Sequence, residues 1–239
     1  MPGVDRQSMG ADVIWIGMAT VADWRPWLQQ AATLLNVPEQ ERVVRKRRPE
    51  DRDTLVLAYA MHRLLLSCWL GVDAAQVPIG RDAQGRPLIQ DSVLATSLSH
   101  THGAVAIAIS RVGPVGVDIE AIVRPSMLDD IATQICHPSE LAALEALTDQ
   151  LRQTELRRLW VRKEAYLKAV GVGLAWDMRD FAAAPEMRLP VPGSNGSEAL
   201  QVRLSAVPMH PGFEVACAAP VQCRTIDFLL LPDALEAQT

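Results

Sequence analysis

One short motif places two acidic side chains where they could share a cation. In Gly116-Val-Asp-Ile-Glu120, Asp118 and Glu120 alternate with Val117 and Ile119. If the segment is a strand, both carboxylates project from one face and both aliphatic side chains enter the core. Two carboxylates this close together ionise more easily with a cation between them than without it. A strand end with two solvated acids is the alternative, and the motif by itself does not exclude it.

A second motif supplies a third carboxylate and a lysine. Trp160-Val-Arg-Lys-Glu-Ala-Tyr-Leu-Lys168 has the pattern of a helix in which Glu164 and Lys168 lie one turn apart. Such a pair can be an ordinary surface ion pair. Because Trp160 shares its general face, full solvation of the pair is less expected. Three carboxylates from a strand and a helix would form an oxygen-ligand site for a hard divalent cation. A lysine beside them suggests phosphoryl or phosphodiester chemistry.

A third element is Ser97-Leu-Ser-His-Thr101, which precedes an apolar run with the composition of a strand. A turn here would present a hydroxyl, an imidazole and backbone N–H groups to an anion, with Ser99 and His100 as the candidates. A lone histidine is often structural, and His102 could equally be the active one. By itself, this element is therefore only weak evidence for an anion-binding site.

Basic residues crowd the segment before the longest apolar helical pattern, and another arginine follows in Arg86-Pro87. Guanidinium groups bind phosphate bidentately, so these are candidate phosphate contacts. The alternative is a solvated helical face whose charge is partly offset by acidic neighbours. The basic residues of this cluster are Arg42, Arg45, Lys46, Arg47, Arg48 and Arg52.

Composition narrows the class of protein. The 239 residues are 49% hydrophobic and 21% charged, which is ordinary for a soluble globular protein, and the net charge of -5 argues against a general nucleic-acid binder. The N-terminus lacks a secretory signal pattern, and the apolar run 13–21 is too short to span a bilayer, so we expect a cytoplasmic protein. The four cysteines have no metal-ligand spacing and are predicted to be small buried thiols.

Hydrophobic periodicity and turn residues predict the elements that carry these motifs. Each half of the chain runs from strand to helices and back to strands, which suggests two similar subdomains meeting near residues 111–114. The strands at 104–110 and 115–119 are predicted to form a hairpin, or nearly so, through Gly113-Pro114. Helices are predicted over 24–35, from Pro38 through the basic cluster, and over 51–70, 128–136, 139–147 (with Ser139 as N-cap) and 152–170. The remaining strands are predicted at 13–19, 88–90, 181–183, 200–207, 213–218 and 225–231, with an exposed loop over 185–198.

Taken together, these motifs resemble those of the 4′-phosphopantetheinyl transferases. Gly116–Glu120, Trp160-x-x-Lys-Glu-Ala-x-x-Lys168 and Leu98-Ser-His100 occur in the order and approximate spacing of that family. The length of 239 residues is similar to that of the monomeric surfactin-synthetase-activating (Sfp) type rather than the short trimeric holo-acyl-carrier-protein synthases. The resemblance covers residues from about 41 to 174 and is faint elsewhere.

The resemblance implies a reaction, in which the phosphopantetheine arm of coenzyme A moves to a serine of an apo carrier protein and adenosine 3′,5′-bisphosphate is released. Mg²⁺, or Mn²⁺ in its place, would bind Asp118, Glu120 and Glu164 together with the coenzyme A pyrophosphate. Glu164 would accept the serine proton, directly or through water, and Lys168 would stabilise or protonate the departing phosphate. Lys163 would contact phosphate or orient the helix.

By the same resemblance, several residues would bind coenzyme A. Ser99 and His100 would lie against its phosphates, and Arg86, in a segment similar to the family's Gly-Lys-Pro element, would lie near the adenine or its 3′-phosphate. Thr54 stands where relatives often have a basic residue. Recognition of the 3′-phosphate would then fall to other residues of the basic cluster, namely Arg45, Arg48 and Arg52.

The implied fold is α+β, with two similar subdomains, 1–112 and 113–239, related by a pseudo-twofold around the active site. The protein would be a monomer, in effect a pseudo-dimer, that acts on acyl, peptidyl or aryl carriers of fatty-acid, polyketide or nonribosomal peptide biosynthesis, and not on nucleic acid or membranes. The helix from Leu128 would line the carrier groove. Carrier proteins are generally acidic, so Arg157, Arg158 and Arg162 would steer them.

Two other functions remain open at this point. A Mg²⁺-dependent nucleotide or pyrophosphate hydrolase could use the same three acids, but it would leave Ser99, His100 and Lys163 without a clear role. A nucleic-acid-binding module built on the basic cluster would explain none of the acids.

Overall fold

Two four-stranded sheets lie face to face, and a 22-residue helix covers the outer side of each. The computed structural model describes residues 12–122, 128–173, 176–194 and 200–229. The described chain is mixed α/β, in agreement with the α+β class expected from the sequence. Within it, no helix is both long and apolar enough to cross a membrane.

The first sheet has the strand order β10-β1-β5-β4 and is covered by helix α4. Helix α4 begins at Pro49, a residue suited to the first turn of a helix, and ends at Gly71, which adopts the left-handed conformation. Its apolar face packs on β1, β4 and β5. The elements in chain order are β1 (Val13–Thr20), α1 (Val21–Trp24), α2 (Leu28–Ala32), α3 (Val37–Val44), α4 (Pro49–Leu70), β2 (Ile79–Arg81), β3 (Pro87–Ile89), β4 (Ala95–Thr101) and β5 (Ala104–Ser110).

The second sheet has the order β6-β9-β8-β7 and is covered by helix α7, which likewise ends at a left-handed glycine, Gly171. The last described strand, β10, leaves this sheet and pairs in parallel with β1 of the first. The elements are β6 (Gly116–Ala121), α5 (Leu128–Ile135), α6 (Pro138–Glu145), α7 (Asp149–Val170), β7 (Arg188–Pro190), β8 (Gln201–Ala206), β9 (Phe213–Pro220) and β10 (Arg224–Leu229).

A third apolar core lies between the sheets. Val117 and Ile119 of β6 enter it opposite Ile14, Ile16 and Met18 of β1. This confirms the predicted alternation, because the intervening side chains of β6 are left to face α7. Cys136, Cys217 and Cys223 are buried as predicted, whereas Cys68 is half-buried.

The predicted hairpin between the strands at 104–110 and 115–119 is wrong. Strand β5 pairs with β1 and β4, whereas β6 pairs with β9, so the two strands belong to different sheets. The hairpin lies one strand earlier, where Gly103 (φ +76°) turns β4 into β5. The segment 97–101 is therefore strand and not the turn expected from its polar residues.

Other differences follow from proline and from local capping. Pro26 divides the predicted helix 24–35 into α1, a 3-10 turn and α2. The helix from Pro38 ends at Val44, so Arg45–Arg48 form a loop before α4. The N-cap of α6 is His137 and not Ser139.

The strand predictions also differ from the structure at three places. Residues 181–183 are not a strand, strand β2 was not predicted, and the predicted loop 185–198 contains β7. Residues 230 and 231 of the last predicted strand, like 195–198 of the loop, lie outside the described residues.

Candidate active site

Helix α7 lies directly on the backbone of β6, and Gly116 makes this possible. A methyl group at Gly116 would lie 1.9 Å from the carbonyl oxygen of Ala165 and 2.6 Å from the backbone nitrogen of Ala169. Only a glycine permits so close an approach. The two acids of β6 are consequently brought beneath the turn of α7 that carries Glu164 and Lys168.

Asp118, Ser99 and Lys168 form a closed triangle of hydrogen bonds. The Ser99 hydroxyl donates to Asp118 Oδ1 at 2.6 Å. Lys168 Nζ donates to the same carboxylate oxygen at 2.6 Å and to Ser99 Oγ at 2.8 Å. The three residues come from α7, β6 and β4, so the triangle joins both sheets and the covering helix.

Ser99 belongs to a row of three hydroxyl side chains along β4 that face β6. Ser97 Oγ accepts from the backbone N–H of Val117 at 3.1 Å, and Thr101 Oγ1 donates to Glu120 Oε2 at 3.2 Å. The S-x-S-x-T alternation of residues 97–101 is the sequence signal for this contact, and it was missed because the segment was interpreted as a turn. Ser99 is buried and contacts the acid and the lysine, where the sequence predicted a phosphate contact.

Burial and mutual repulsion hold two of the carboxyl groups closer to neutral. Burial raises the pKa of Glu164 to about 7, and the charges of Asp118 and then Glu120 add to the effect against the opposing charge of Lys168. Burial, followed by the charge of Asp118, also raises the pKa of Glu120, while hydrogen bonds from Thr101 and Trp160 act in the opposite direction. A positive charge bound next to these carboxylates would stabilise their ionised forms.

The donor atoms suit a hard cation, although they are not gathered around one point. Asp118 Oδ2 and Glu164 Oε1 are buried and have no hydrogen-bond partner. Over the ranges that the structure describes, no three acidic, histidine or cysteine side chains stand close enough together to bind a metal ion as they are placed. Lys168 holds Asp118 Oδ1 and Thr101 holds Glu120 Oε2, so a cation that used these two oxygens as well would have to displace Lys168 and Thr101 from them.

A cleft of about 300 Å³ opens beside these acids, between the two helix-covered sheets. Glu164 and Lys168 line it from α7, and His100 lines it from β4. Partial burial, then the charges of Lys46 and Lys168, lower the pKa of His100. Arg86 lines the same cleft and donates through Nε to Asp82 Oδ2 at 2.6 Å.

Sequence reasoning missed one basic residue of this region, Arg81, and named another, Lys46, only as part of the basic cluster. Arg81 lines the cleft, with its guanidinium 5.6 Å from the centre of the Tyr59 ring, and burial lowers its pKa. Its position next to the Asp82–Arg86 turn was the available signal. Lys46, a member of the basic cluster, lies near enough to His100 to lower its pKa.

The expectation that Lys163 contacts phosphate must be corrected. Its side chain is fully buried on the other side of α7, where Nζ donates to the carbonyl oxygens of Met178 and Phe181 at 2.7 and 2.5 Å. Glu140 Oε2 lies 2.9 Å from the same ammonium group. These partners satisfy all three N–H groups, and the geometry agrees with the other expectation, that Lys163 orients the helix.

Three further arginines predicted to bind coenzyme A do not line the cleft. Arg45 is exposed and pairs with Glu41 at 3.5 Å, Arg48 precedes α4, and Arg52 donates to the backbone oxygen of Lys46 at 2.7 Å. Thr54 is buried and structural, because it donates to Glu50 O and accepts from the N–H of Gly103.

The predicted steering arginines are also mostly engaged within the protein. Arg157 and Arg162 are buried, and Arg162 bonds the carbonyl oxygen of Ala183 and the carboxylate of Glu155. Arg158 remains half-exposed and pairs with Glu214 at 3.2 Å.

The fold and the site thus define a class of protein in which a cleft lined by a glutamate, a lysine and two arginines lies between two helix-covered sheets. A sequence profile described as the 4′-phosphopantetheinyl transferase superfamily matches residues 114–205, which run from the start of β6 into β8. The matched region carries all three acids and Lys168. This part of the chain matches that superfamily, which confirms the resemblance drawn from the motifs.

Individual relatives agree with the profile. The chain is 33% identical over 152 residues to the 4′-phosphopantetheinyl transferase HetI of Nostoc sp., a match that covers 62% of this chain and 64% of that protein. It is 29% identical over 144 residues to the 4′-phosphopantetheinyl transferase gsp of Aneurinibacillus migulanus, covering 60% and 59%. The chain therefore spans slightly less than two thirds of the length of these relatives. A solved holo-[acyl-carrier-protein] synthase of Thermotoga maritima matches 45% of this chain and 62% of that chain, with 22% identity and a TM-score of 0.31.

Proposed function

We propose that the protein is a 4′-phosphopantetheinyl transferase, which moves the phosphopantetheine arm of coenzyme A to a serine of an apo carrier protein. The observation that carries this proposal is that Glu164 and Lys168 line the cleft while Asp118 and Glu120 lie beside them on β6, with a buried carboxylate oxygen of Asp118 and one of Glu164 left without partners. Three carboxylates and a lysine are suited to a substrate that carries a pyrophosphate and a divalent cation.

Asp118, Glu120 and Glu164 are the residues that would hold Mg²⁺, or Mn²⁺ in its place. When bound, the cation would neutralise charge on the pyrophosphate and hold the leaving group in line with the attacking hydroxyl. The two unpartnered oxygens and the raised pKa of Glu164 support this assignment, because each would be relieved by a positive charge. Lys168 would be released from Asp118 if the cation also used Asp118 Oδ1.

The protein's own groups then have separate roles in the transfer. Glu164, directly or through a water, accepts the proton of the carrier serine. The serine oxygen forms a bond to the phosphorus that bears the pantetheine arm, and the bond from that phosphorus to the bridging oxygen breaks. Adenosine 3′,5′-bisphosphate leaves, and Lys168 stabilises the charge on its departing phosphate. Ser99 positions Lys168 and Asp118 before the cation binds.

Coenzyme A is proposed to lie along the cleft, with its phosphates near His100 and Lys168 and its adenosine end near Arg86. Arg81 adds positive charge to the lining of the cleft, and Lys46 adds positive charge near His100. Arg45, Arg48 and Arg52 stay outside it, so any contact they make with the 3′-phosphate requires their side chains to move.

We further propose the single-chain, surfactin-synthetase-activating type, with subdomains 1–112 and 113–239 related by a pseudo-twofold axis. The similar lengths and glycine ends of α4 and α7, each lying on a four-stranded sheet, support this arrangement. Strand β10 crosses from the second subdomain to the first. We propose that a protein of this type acts as a cytoplasmic monomer on fatty-acid, polyketide or peptide-synthetase carriers.

Release of adenosine 3′,5′-bisphosphate separates the transferase from a hydrolase that uses the same acids. The protein is incubated with coenzyme A and Mg²⁺, with and without an apo carrier, and with a carrier whose acceptor serine is replaced by alanine. We expect release only with the intact carrier. Release at the same rate in all three mixtures would contradict the proposal and favour the hydrolase.

A further inference from the structure

Arg86 lies flat against a glycine at the end of α7. A methyl group at Gly171 would lie 1.7 Å from Arg86 Nη1, 2.2 Å from Cζ and 2.7 Å from Nη2. Three atoms of the guanidinium group therefore occupy the space that any side chain at position 171 would take. Gly171 is the C-terminal cap of α7 and adopts φ +78°, so the space that the guanidinium occupies lies directly at the end of this helix.

The rest of the Arg86 side chain is fixed from the opposite side. Asp82 accepts from Arg86 Nε at 2.6 Å through Oδ2 and from the Arg86 backbone N–H at 2.8 Å through Oδ1. The bond to Arg86 is also the main cause of the lowered pKa of Asp82. Arg86 is thus clamped between the β2–β3 turn and the C-terminus of α7, where a cation is favoured by the helix dipole.

This clamp leaves the outer edge of the guanidinium unused. Within the described ranges, Nη1 and Nη2 of Arg86 have no hydrogen-bond acceptor, although both belong to a residue that lines the cleft. A guanidinium whose two outer nitrogens are unpaired and whose Nε is held by a carboxylate can bind a phosphate group bidentately. Its orientation is preorganised, so little side-chain entropy is lost on binding.

We propose that Gly171 is a positioning residue for anion binding. Because it has no side chain, it leaves the space in which the Arg86 guanidinium lies, and from this position Nη1 and Nη2 can bind a phosphate of the substrate. This inference rests on the proposed function in taking coenzyme A as the ligand. A methyl group at position 171 would force Nη1 to retreat, since side-chain contacts essentially never fall below 3.0 Å. The guanidinium is the far end of a flexible side chain, so the fold survives while the anion contact is lost.

A matched glycine separates this effect from backbone strain. Gly193 has φ +82° and open space around the position of a side chain, and it lies in a turn away from the cleft. Gly171→Ala and Gly193→Ala should therefore lose similar, small amounts of thermal stability, because both force alanine into the left-handed region. Only Gly171→Ala displaces an arginine.

The test is the dissociation constant for coenzyme A, measured by titration calorimetry with Mg²⁺ present for the wild type, Gly171→Ala, Gly193→Ala, Arg86→Ala and the Gly171→Ala/Arg86→Ala double variant. We expect Gly171→Ala and Arg86→Ala each to weaken binding by about 10- to 100-fold, as the loss of charged hydrogen bonds does. The double variant should be no weaker than Arg86→Ala, and Gly193→Ala should bind like the wild type.

Two results would overturn the inference: Gly171→Ala binding like Gly193→Ala, or a double variant weakened by the product of the two single effects. If the wild type does not bind coenzyme A, the proposed function fails separately. The same five proteins are then titrated with inorganic pyrophosphate. The same pattern supports the role of Gly171, and absence of pyrophosphate binding to the wild type contradicts it.

Discussion

Gly116 and Ala165 lie in backbone contact, so that a methyl group on the glycine would come within 1.9 Å of the alanine carbonyl oxygen. This one approach brings α7 down onto β6 and places Glu164 and Lys168 over Asp118. Ala165 is completely buried beside the contact. The spacing between the two acidic motifs is therefore set by the packing of a glycine.

Gly116→Ala should damage both stability and activity. The added methyl group meets backbone atoms, which cannot rotate away, so we expect a loss of about 1–3 kcal/mol in the free energy of unfolding. A shift of α7 of the order of 1 Å should lower the transfer rate by about 100-fold. Urea unfolding and the carrier-modification rate measure the two effects. Gly80→Ala is the control, because its nearest neighbours lie 3.8 and 3.9 Å away and ordinary contact is kept. Equal stability losses in both variants would contradict the packing explanation.

Glu164→Gln should have opposite effects on activity and on the stability of the metal-free protein. The amide keeps the shape of the side chain but cannot accept the serine proton or hold a cation, so activity should fall by at least about 100-fold. Above about pH 7, removing a negative charge whose Oε1 is buried without a hydrogen-bond partner should raise the melting temperature in the presence of a chelator. A variant with activity near that of the wild type would show that the ligand and base assignments are wrong.

Stability in a chelating buffer should depend on pH through Glu164. Burial, followed by the charges of Asp118 and Glu120, raises its pKa from 4.5 to about 7, so the folded protein holds a proton that the unfolded chain has released. The unfolding free energy should accordingly fall as the pH rises from about 4.5 to 7, by up to about 3 kcal/mol. Glu164→Gln should show a smaller fall over this range. Identical pH profiles for the two proteins would be incompatible with this environment.

Added Mg²⁺ should reverse the loss at neutral pH. A cation that binds only the folded protein raises the melting temperature with its concentration. The rise should be present in the wild type and absent in Asp118→Asn, which keeps the size of the side chain. If both proteins respond alike, the cation binds elsewhere.

Lys163 should prove structural. Replacing it by Met leaves Glu140 buried without its positive partner, and we expect a loss of about 3–5 kcal/mol in the free energy of unfolding. Coenzyme A binding, measured well below the melting temperature, should change by less than about threefold, an energy below 1 kcal/mol. Lys163→Met/Glu140→Gln should recover part of the stability, since the neutral amide no longer buries a charge. A stable Lys163→Met protein that no longer binds coenzyme A would instead restore the predicted phosphate contact.

The grouping of the acids and the lysine could be predicted from the sequence because the spacing within each motif is local. The i, i+2 spacing of Asp118 and Glu120 in a strand and the i, i+4 spacing of Glu164 and Lys168 in a helix fix which side chains share a face. The two long helices were likewise predictable, since their apolar periodicity ends at Gly71 and Gly171, both left-handed caps.

The pairing of strands was not local and could not be read in the same way. Gly113-Pro114 has turn chemistry, but the chain there passes from one sheet to the other and does not form a hairpin. The role of Lys163 depends on Glu140 and on carbonyl groups 15 and 18 residues away, which no spacing within the motif reveals. The contact between Arg86 and Gly171 joins the turn between β2 and β3 to the end of α7. These segments are far apart in the sequence, so the contact could not be predicted without the fold.

The central claim is that this protein transfers phosphopantetheine, and mass spectrometry of apo carrier proteins tests it most directly. A panel of fatty-acid, polyketide and peptide-synthetase carriers is incubated with the protein, coenzyme A and Mg²⁺, with Glu164→Gln as the matched control. We predict that at least one carrier gains the mass of one phosphopantetheine group on its acceptor serine, and that the variant leaves it largely unmodified. No modification of any carrier by the folded wild-type protein would contradict the account.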